Sequence, residues 1–188
     1  MNQWILELLK SKQSVFSVRD LSQFIRHSSD AYLRNRISFY EKKWILYSVA
    51  RGIYTTRETC DRFELANKIY SPSYISFFSA LYHHGVIFQY QRDVYIAYRK
   101  TDTKKLQDFS IILKTLKSDL LFNPEWILIQ EFYSIATKER AFLDTLYLFG
   151  ETYFDNLDSM NWGYIQKLVK IYDSPRLEKL VQTYIPKK

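Results

Sequence analysis

Residues 17–56 read SVRDLSQFIRHSSDAYLRNRISFYEKKWILYSVARGIYTT, and this stretch decides the fold. Ser17 with Asp20 three residues on is a capping-box-like helix start. Leu21, Phe24 and Ile25 then form an apolar face at helical spacing. His27-Ser28-Ser29 reads as a tight polar turn, with Ser28 as the N-cap of the next helix and Asp30 suited to its dipole. That helix runs from about Ser29 to Lys43. On a 3.6-residue wheel Leu33, Ile37, Tyr40 and Trp44 share one stripe. Ala31, Arg34, Asn35, Ser38 and Lys42 fall opposite, with Tyr32, Arg36 and Phe39 on the flanks. Ile45, Tyr47 and Val49 alternate with Leu46 and Ser48, Ala50-Arg51-Gly52 turns, and Ile53-Tyr54-Thr55 returns. This predicts a hairpin in which Gly52 takes positive φ.

A capped helix, a turn, a polar helix and an Arg-Gly hairpin follow one another in the order of a winged helix-turn-helix, a unit that sets one helix in the DNA major groove. The polar face carries the groups that read base edges. Arg matches guanine O6/N7, Asn matches adenine N6/N7, and Ser serves either. Arg34, Asn35 and Ser38 are the expected base readers. Tyr32, Arg36, Lys42, Lys43 and Arg51 are the expected backbone contacts, with Arg51 at the tip of the wing. Taken alone, a helix with a basic face also fits a solvated surface on a small helical bundle.

Working outward, Trp4, Ile5, Leu8 and Leu9 predict a first helix over 2–11. Thr56 to Asp61 is polar and marks the expected boundary, giving a winged helix over 1–60 and a second domain over 61–188. In that second part FELANKIY predicts a short helix. Ser71-Pro72 predicts a helix restart lined by Tyr74, Phe77, Phe78 and Leu81 and ended by Gly85. Val86, Phe88 and Tyr90 alternate, as do Val94, Ile96 and Tyr98, which predicts a second hairpin around Gln91-Arg92-Asp93. Strand-like runs follow at 109–113 and 126–130, then helices at 139–149, 162–172 and 175–184, the last capped by Ser174. The expected fold class is α+β: an N-terminal winged helix-turn-helix followed by a mixed helix and short-strand C-terminal domain.

The 188 residues carry a formal net charge of +7. Residues 1–62 hold eleven Lys/Arg against six Asp/Glu, and residues 63–188 sixteen against fourteen, so most of the excess lies in the first third. A polyanionic partner fits there, because neutralising phosphates releases counterions. Cys60 is the single cysteine, which excludes a disulfide within the chain and fits a reducing compartment. The N-terminal segment lacks a basic region and a small-residue cleavage site, and no window approaches the roughly 18–20 apolar residues of a membrane span. These features predict a cytoplasmic protein with no membrane partner.

Enzymatic constellations are weak. Cys60 with His27, His83 or His84 lacks an orienting group for a nucleophile and base. His83-His84 lacks the flanking ligands of a metal site. The four glycines stand too far apart for a phosphate loop, and Asp155 and Asp158 lie in a loop-like stretch. Arg140 and Asp144 are four apart, the spacing of an intrahelical ion pair, with Asp144 among Phe142, Leu143 and Leu146. No catalytic residue, cofactor or metal is expected.

Three further motifs lie in order along the chain: the Arg51-Gly52-Ile53-Tyr54 wing ending; Glu64-Leu65-Ala66 with Ser71-Pro72-Ser73-Tyr74-Ile75-Ser76, Ala80-Leu81 and His84-Gly85-Val86-Ile87; and Ile135-Ala136-Thr137-Lys138-Glu139-Arg140-Ala141-Phe142-Leu143-Asp144. On these the chain resembles the AbiEi-type antitoxins, the transcriptional regulators of bacterial abortive-infection (type IV) toxin–antitoxin systems, over nearly its whole length. The resemblance implies a repressor that binds double-stranded operator DNA at inverted repeats through its N-terminal winged helix. It implies a C-terminal domain with antitoxin activity against a nucleotidyltransferase-like toxin, without a stable complex. The chain departs from the pattern at Lys43-Trp44, where a glycine often closes the recognition helix, and at Lys138, where a proline often stands. The alternative expectation is a winged-helix protein-interaction adaptor, or an orphan transcriptional regulator without a toxin.

Overall fold

Ser17 and Asp20 cap each other. The Ser17 amide and hydroxyl donate to Asp20 Oδ2 at 2.7 and 2.8 Å, and the Asp20 amide donates back to Ser17 Oγ at 3.1 Å. The structure, a computed structural model, describes residues 3–25, 29–57 and 59–186. The chain is α+β and divides into two compact units, Met1–Ser71 and Pro72–Lys188.

The first unit runs α1 (Gln3–Lys10), β1 (Val15–Ser17), α2 (Val18–Ile25), α3 (Asp30–Lys42), β2 (Tyr47–Ala50), β3 (Ile53–Thr55) and α4 (Arg62–Ile69). Its antiparallel sheet has the order β1-β3-β2, with Phe16 opposite Tyr54 and Ser48 opposite Tyr54 on the other side. Leu8 of α1, Leu21 and Ile25 of α2, Leu33, Ile37 and Tyr40 of α3, and Phe16 and Leu46 close one core. Burying such side chains contributes on the order of 1.5–3 kcal/mol each. The polar stretch at 56–61 leads into α4, and α4 belongs to the first unit, so the division falls one helix later than the boundary expected after residue 60. Asp61 caps α4 by accepting from the Phe63 and Glu64 amides.

Glu64 then joins α4 to β1. Although buried, its carboxylate accepts from the Ser14 amide at 2.9 Å, the Ser14 hydroxyl at 2.6 Å and the Val15 amide at 3.0 Å. Lys68, one turn on, donates to Asp20 Oδ2 at 2.9 Å. Burial alone would push the Asp20 carboxyl up, but the bonds from Ser17 and Lys68 outweigh it and hold it below its ordinary range.

The second unit runs β4 (Tyr74–Ile75), α5 (Phe77–His83), β5 (Val94–Tyr98), β6 (Asp102–Lys105), β7 (Ser110–Thr115), α6 (Ser118–Leu121), β8 (Ile127–Ile129), β9 (Ser134–Ala136), α7 (Lys138–Phe149), α8 (Trp162–Leu168), a 3₁₀ turn (Val169–Tyr172) and α9 (Pro175–Gln182). The six strands lie in the order β6-β7-β5-β4-β9-β8, with β5–β7 and β4–β9 parallel and the other pairs antiparallel. Two expectations fail here. Ser71-Pro72 does not restart a helix: Tyr74 and Ile75 enter the sheet between β5 and β9, and α5 begins only after Ser76. The second hairpin does not form either, because β4 and β7 occupy both edges of β5. Val86 instead accepts from the Asp155 and Asn156 amides, and the Phe88 amide donates to Asp155 Oδ2.

Arg140 and Asp144 are wholly buried on α7, with Nε 3.2 Å from Oδ1. Asp144 also accepts from Tyr172 at 2.6 Å, Ser76 at 2.7 Å and Tyr74 at 3.1 Å. Arg140 donates to the Leu120 carbonyl and to Tyr74 Oη. Burial opposes the guanidinium charge, yet Asp144 and the two phenol groups raise its pKa. Burial, reinforced by Asp144, pushes both phenols well above the ordinary tyrosine value of 10.0. Among the described residues no helix is long and apolar enough to cross a membrane.

Two outcomes are expected. Glu64→Ala leaves the Ser14 and Val15 amides without their acceptor and lowers stability by about 3 kcal/mol, which urea unfolding followed by far-ultraviolet circular dichroism will read. For Tyr74 and Tyr172 the folded-state pKa is raised, so above pH 10 the folded chain binds more protons than the unfolded one. Their stabilisation is therefore complete below pH 10 and is lost as pH rises. Urea midpoints at pH 9 and pH 11 check this, and Tyr172→Phe must show the smaller fall.

Candidate nucleic-acid interface

The N-cap of α3 is Ser29, whose side chain accepts from the Tyr32 amide at 3.2 Å. Ser28, the residue expected in that place, and most of the His27–Ser29 turn lie outside the described residues. Leu33, Ile37 and Tyr40 bury one stripe of α3 in the core, and Tyr40 meets Trp4 edge-on at 4.9 Å. The other side of the helix is thereby left outward. Ala31, Arg34, Asn35, Ser38, Phe39, Lys42 and Lys43 are all exposed.

Trp44 does not share the buried stripe. It is 76% exposed, because the helix has already ended. The Trp44 amide bonds to the Glu41 carbonyl, the Ile45 and Leu46 amides both return to Tyr40 O, and Trp44 itself sits at φ 55. This is the left-handed conformation that usually calls for glycine at a helix end. The chain then enters β2, with Trp44 6.4 Å from the Tyr47 ring.

The expected backbone-contact residues divide into two kinds. Lys42 and Arg51 are exposed, Arg51 standing at the tip of the β2–β3 hairpin and not on α3. Gly52 beside it has φ 72, and its carbonyl accepts from the Val18 amide at 3.1 Å, which ties the hairpin tip to the start of α2. Arg36, half-buried, and Lys43, also exposed, are engaged with aromatic rings. Arg36 Nε donates to Tyr32 Oη at 2.9 Å, with its guanidinium 5.0 Å from the ring centroid. Lys43 Nζ lies 5.2 Å from the centre of Phe39. Both pairs have i,i+4 spacing on one flank of α3. The wheel placed Phe39 on that flank without giving it a role. The signal was its position four residues from Asn35 and four from Lys43.

Of the residues considered for enzymatic chemistry, His27 lies outside the described residues. The Cys60 thiol is half-buried, and burial, together with the Glu64 and Asp61 carboxylates, pushes it up and away from a reactive thiolate. Burial pushes His84 down, and its Nε2 lies 2.8 Å from the Ala136 carbonyl. Among the described residues no three His, Cys, Asp or Glu side chains group so as to hold a metal ion.

The strain at Trp44 yields a direct expectation. Trp44→Gly removes the left-handed penalty at an exposed position and raises stability by about 1 kcal/mol; an unchanged or lower urea midpoint would show that the indole contact outweighs the strain. No family model matches this chain, and no curated protein matches it.

Proposed function

We propose that the chain is a sequence-specific DNA-binding protein whose first unit acts as a winged helix-turn-helix. The observation that carries this reading is the succession α1-β1-α2-α3-β2-β3, with the sheet order β1-β3-β2 and the outward face of α3 occupied by Arg34, Asn35, Ser38 and Lys42. In this function α3 enters the major groove. Arg34 donates to guanine, Asn35 pairs with adenine and Ser38 serves either. Tyr32, Arg36, Lys42 and Lys43 fix the helix on phosphate, and Arg51 reaches the backbone from the hairpin tip. The net +5 of residues 1–62 supplies the salt-dependent part of the affinity.

By its resemblance the chain acts as an AbiEi-type antitoxin. It represses its own operon from inverted repeats and opposes a nucleotidyltransferase-like toxin without a stable complex. Two molecules on such repeats would place half-sites about 10 bp apart, or multiples of that. The unit beyond Ser71 carries the antitoxin activity in this reading. Arg140 and Asp144 serve it through the fold, since neither reaches the surface. The function is binding, with no catalytic step. One observation favours the alternative of a protein-interaction adaptor: Trp44 is exposed beside Tyr47, and such aromatics are enriched in protein interfaces. An absence of DNA affinity at low salt would favour that alternative.

Mobility-shift titration on the promoter DNA of its own reading frame tests the proposal. Arg34→Ala is expected to relax specificity at one position by about 1–3 kcal/mol. Lys42→Ala is expected to weaken all sequences alike and reduce the salt slope by about 1. Both variants binding like the parent would sink the assignment.

A further inference from the structure

We propose that Phe39 is a specificity-determining residue of α3 that reads the 5-methyl group of a thymine, an inference that rests on the DNA-binding reading above. An isolated exposed aromatic is ordinary on a protein surface. What distinguishes Phe39 is its place and its support. It is 44% exposed, and the core is closed by Leu33, Ile37 and Tyr40 without it. Its helical neighbours at i−4 and i+3 are Asn35 and Lys42, both on the outward face. Apart from the small side chain of Ala31, it is the apolar group among the exposed residues of α3.

The ring is also held. It meets the buried Tyr40 ring edge-on, with centroids 5.1 Å apart and planes at 89°, and Lys43 Nζ lies 5.2 Å from its centre. Such an anchored ring is suited to a fixed partner of matching chemistry. Of the groups that base pairs present in the major groove, the thymine methyl is the apolar one, and aromatic or small aliphatic side chains are its complement. Asn35, one turn before Phe39, has the chemistry for adenine. The pair thus fits adjacent positions in an A·T-containing half-site, with Lys43 placed for the flanking phosphate.

The full chain is selected against random-sequence duplex DNA, and each enriched thymine is then replaced by uracil, which lacks only the methyl. Affinities are compared for the parent, Phe39→Ala and Phe39→Leu. One uracil substitution is expected to lower the parent's affinity about fourfold, the worth of one buried methyl. The same substitution must leave Phe39→Ala unchanged and must still weaken Phe39→Leu. The uracil arm on the parent needs no variant, so folding of Phe39→Ala does not limit the test. The assignment is overturned if the parent tolerates every uracil, or if the penalty persists in Phe39→Ala. If the parent enriches a sequence that Arg34→Ala relaxes, yet uracil has no effect, this assignment alone falls. If the parent enriches no sequence and binds no duplex at low salt, the DNA-binding reading falls and takes it along.

Discussion

A carboxylate taken out of water must be met by donors, and those donors have to come from whatever elements the fold brings to it. Each unit is tied together by such a group, Glu64 in the first and Asp144 in the second. Glu64 draws the Ser14 and Val15 amides onto α4, so the strand that completes the three-stranded sheet is fixed by the helix that follows it. Asp144 collects Ser76, Tyr74, Tyr172 and Arg140, which come from the start of α5, from β4, from the 3₁₀ turn and from α7. Removing one partner leaves a charge buried without compensation, so these bonds fix the arrangement more firmly than their net worth suggests. They also account for Ser76, which begins α5 as its N-cap yet gives its hydroxyl to Asp144 and makes no side-chain cap bond.

The outward face of α3 follows from the same economy of burial. Once Leu33, Ile37 and Tyr40 are committed to the core, geometry alone turns Arg34, Asn35 and Ser38 outward. The cap at Ser29 and the left-handed Trp44 set the two ends of the helix. The bond from Val18 to Gly52 then couples the hairpin tip to the start of α2. The elements that would hold DNA are thus positioned by local turns and one small core.

Local signals were the legible ones. The Ser17–Asp20 box, the Gly52 turn and the outward polar face of α3 all depend on residues within a turn or two of one another, and the sequence displays them directly. The N-cap fell on Ser29, next to the expected Ser28, because both serines can supply the oxygen. Trp44 was misplaced because the wheel continues past a helix end that backbone geometry imposes. Non-local pairing was the illegible part. Val15–Ser17 is too short to announce a strand, and its partner lies almost forty residues away. Alternation in Val86–Tyr90 resembles a strand, but whether a strand forms depends on a free edge, and β5 has none. The Arg140–Asp144 pair was visible from its spacing. Its full burial was not, since Tyr74 and Ser76 come from about 70 residues earlier.

The flank of α3 holds two cations against rings of neighbouring residues. Tyr32 holds Arg36 and Phe39 faces Lys43, each pair at i,i+4 and the second seven residues after the first. At 1.5 Å per residue the backbone positions of the two cations are spaced by about 10 Å along the axis. A free arginine or lysine carries roughly 2 kcal/mol of rotamer entropy that a phosphate contact must overcome. A ring beneath the charge removes part of that freedom beforehand and leaves donors available to a ligand. An exposed cation such as Lys42 attracts from any direction, whereas Arg36 and Lys43 favour a particular one. In the proposed function the first kind of charge would supply affinity that salt erodes, and the second would supply the register that the proposed base readers on the adjacent face need.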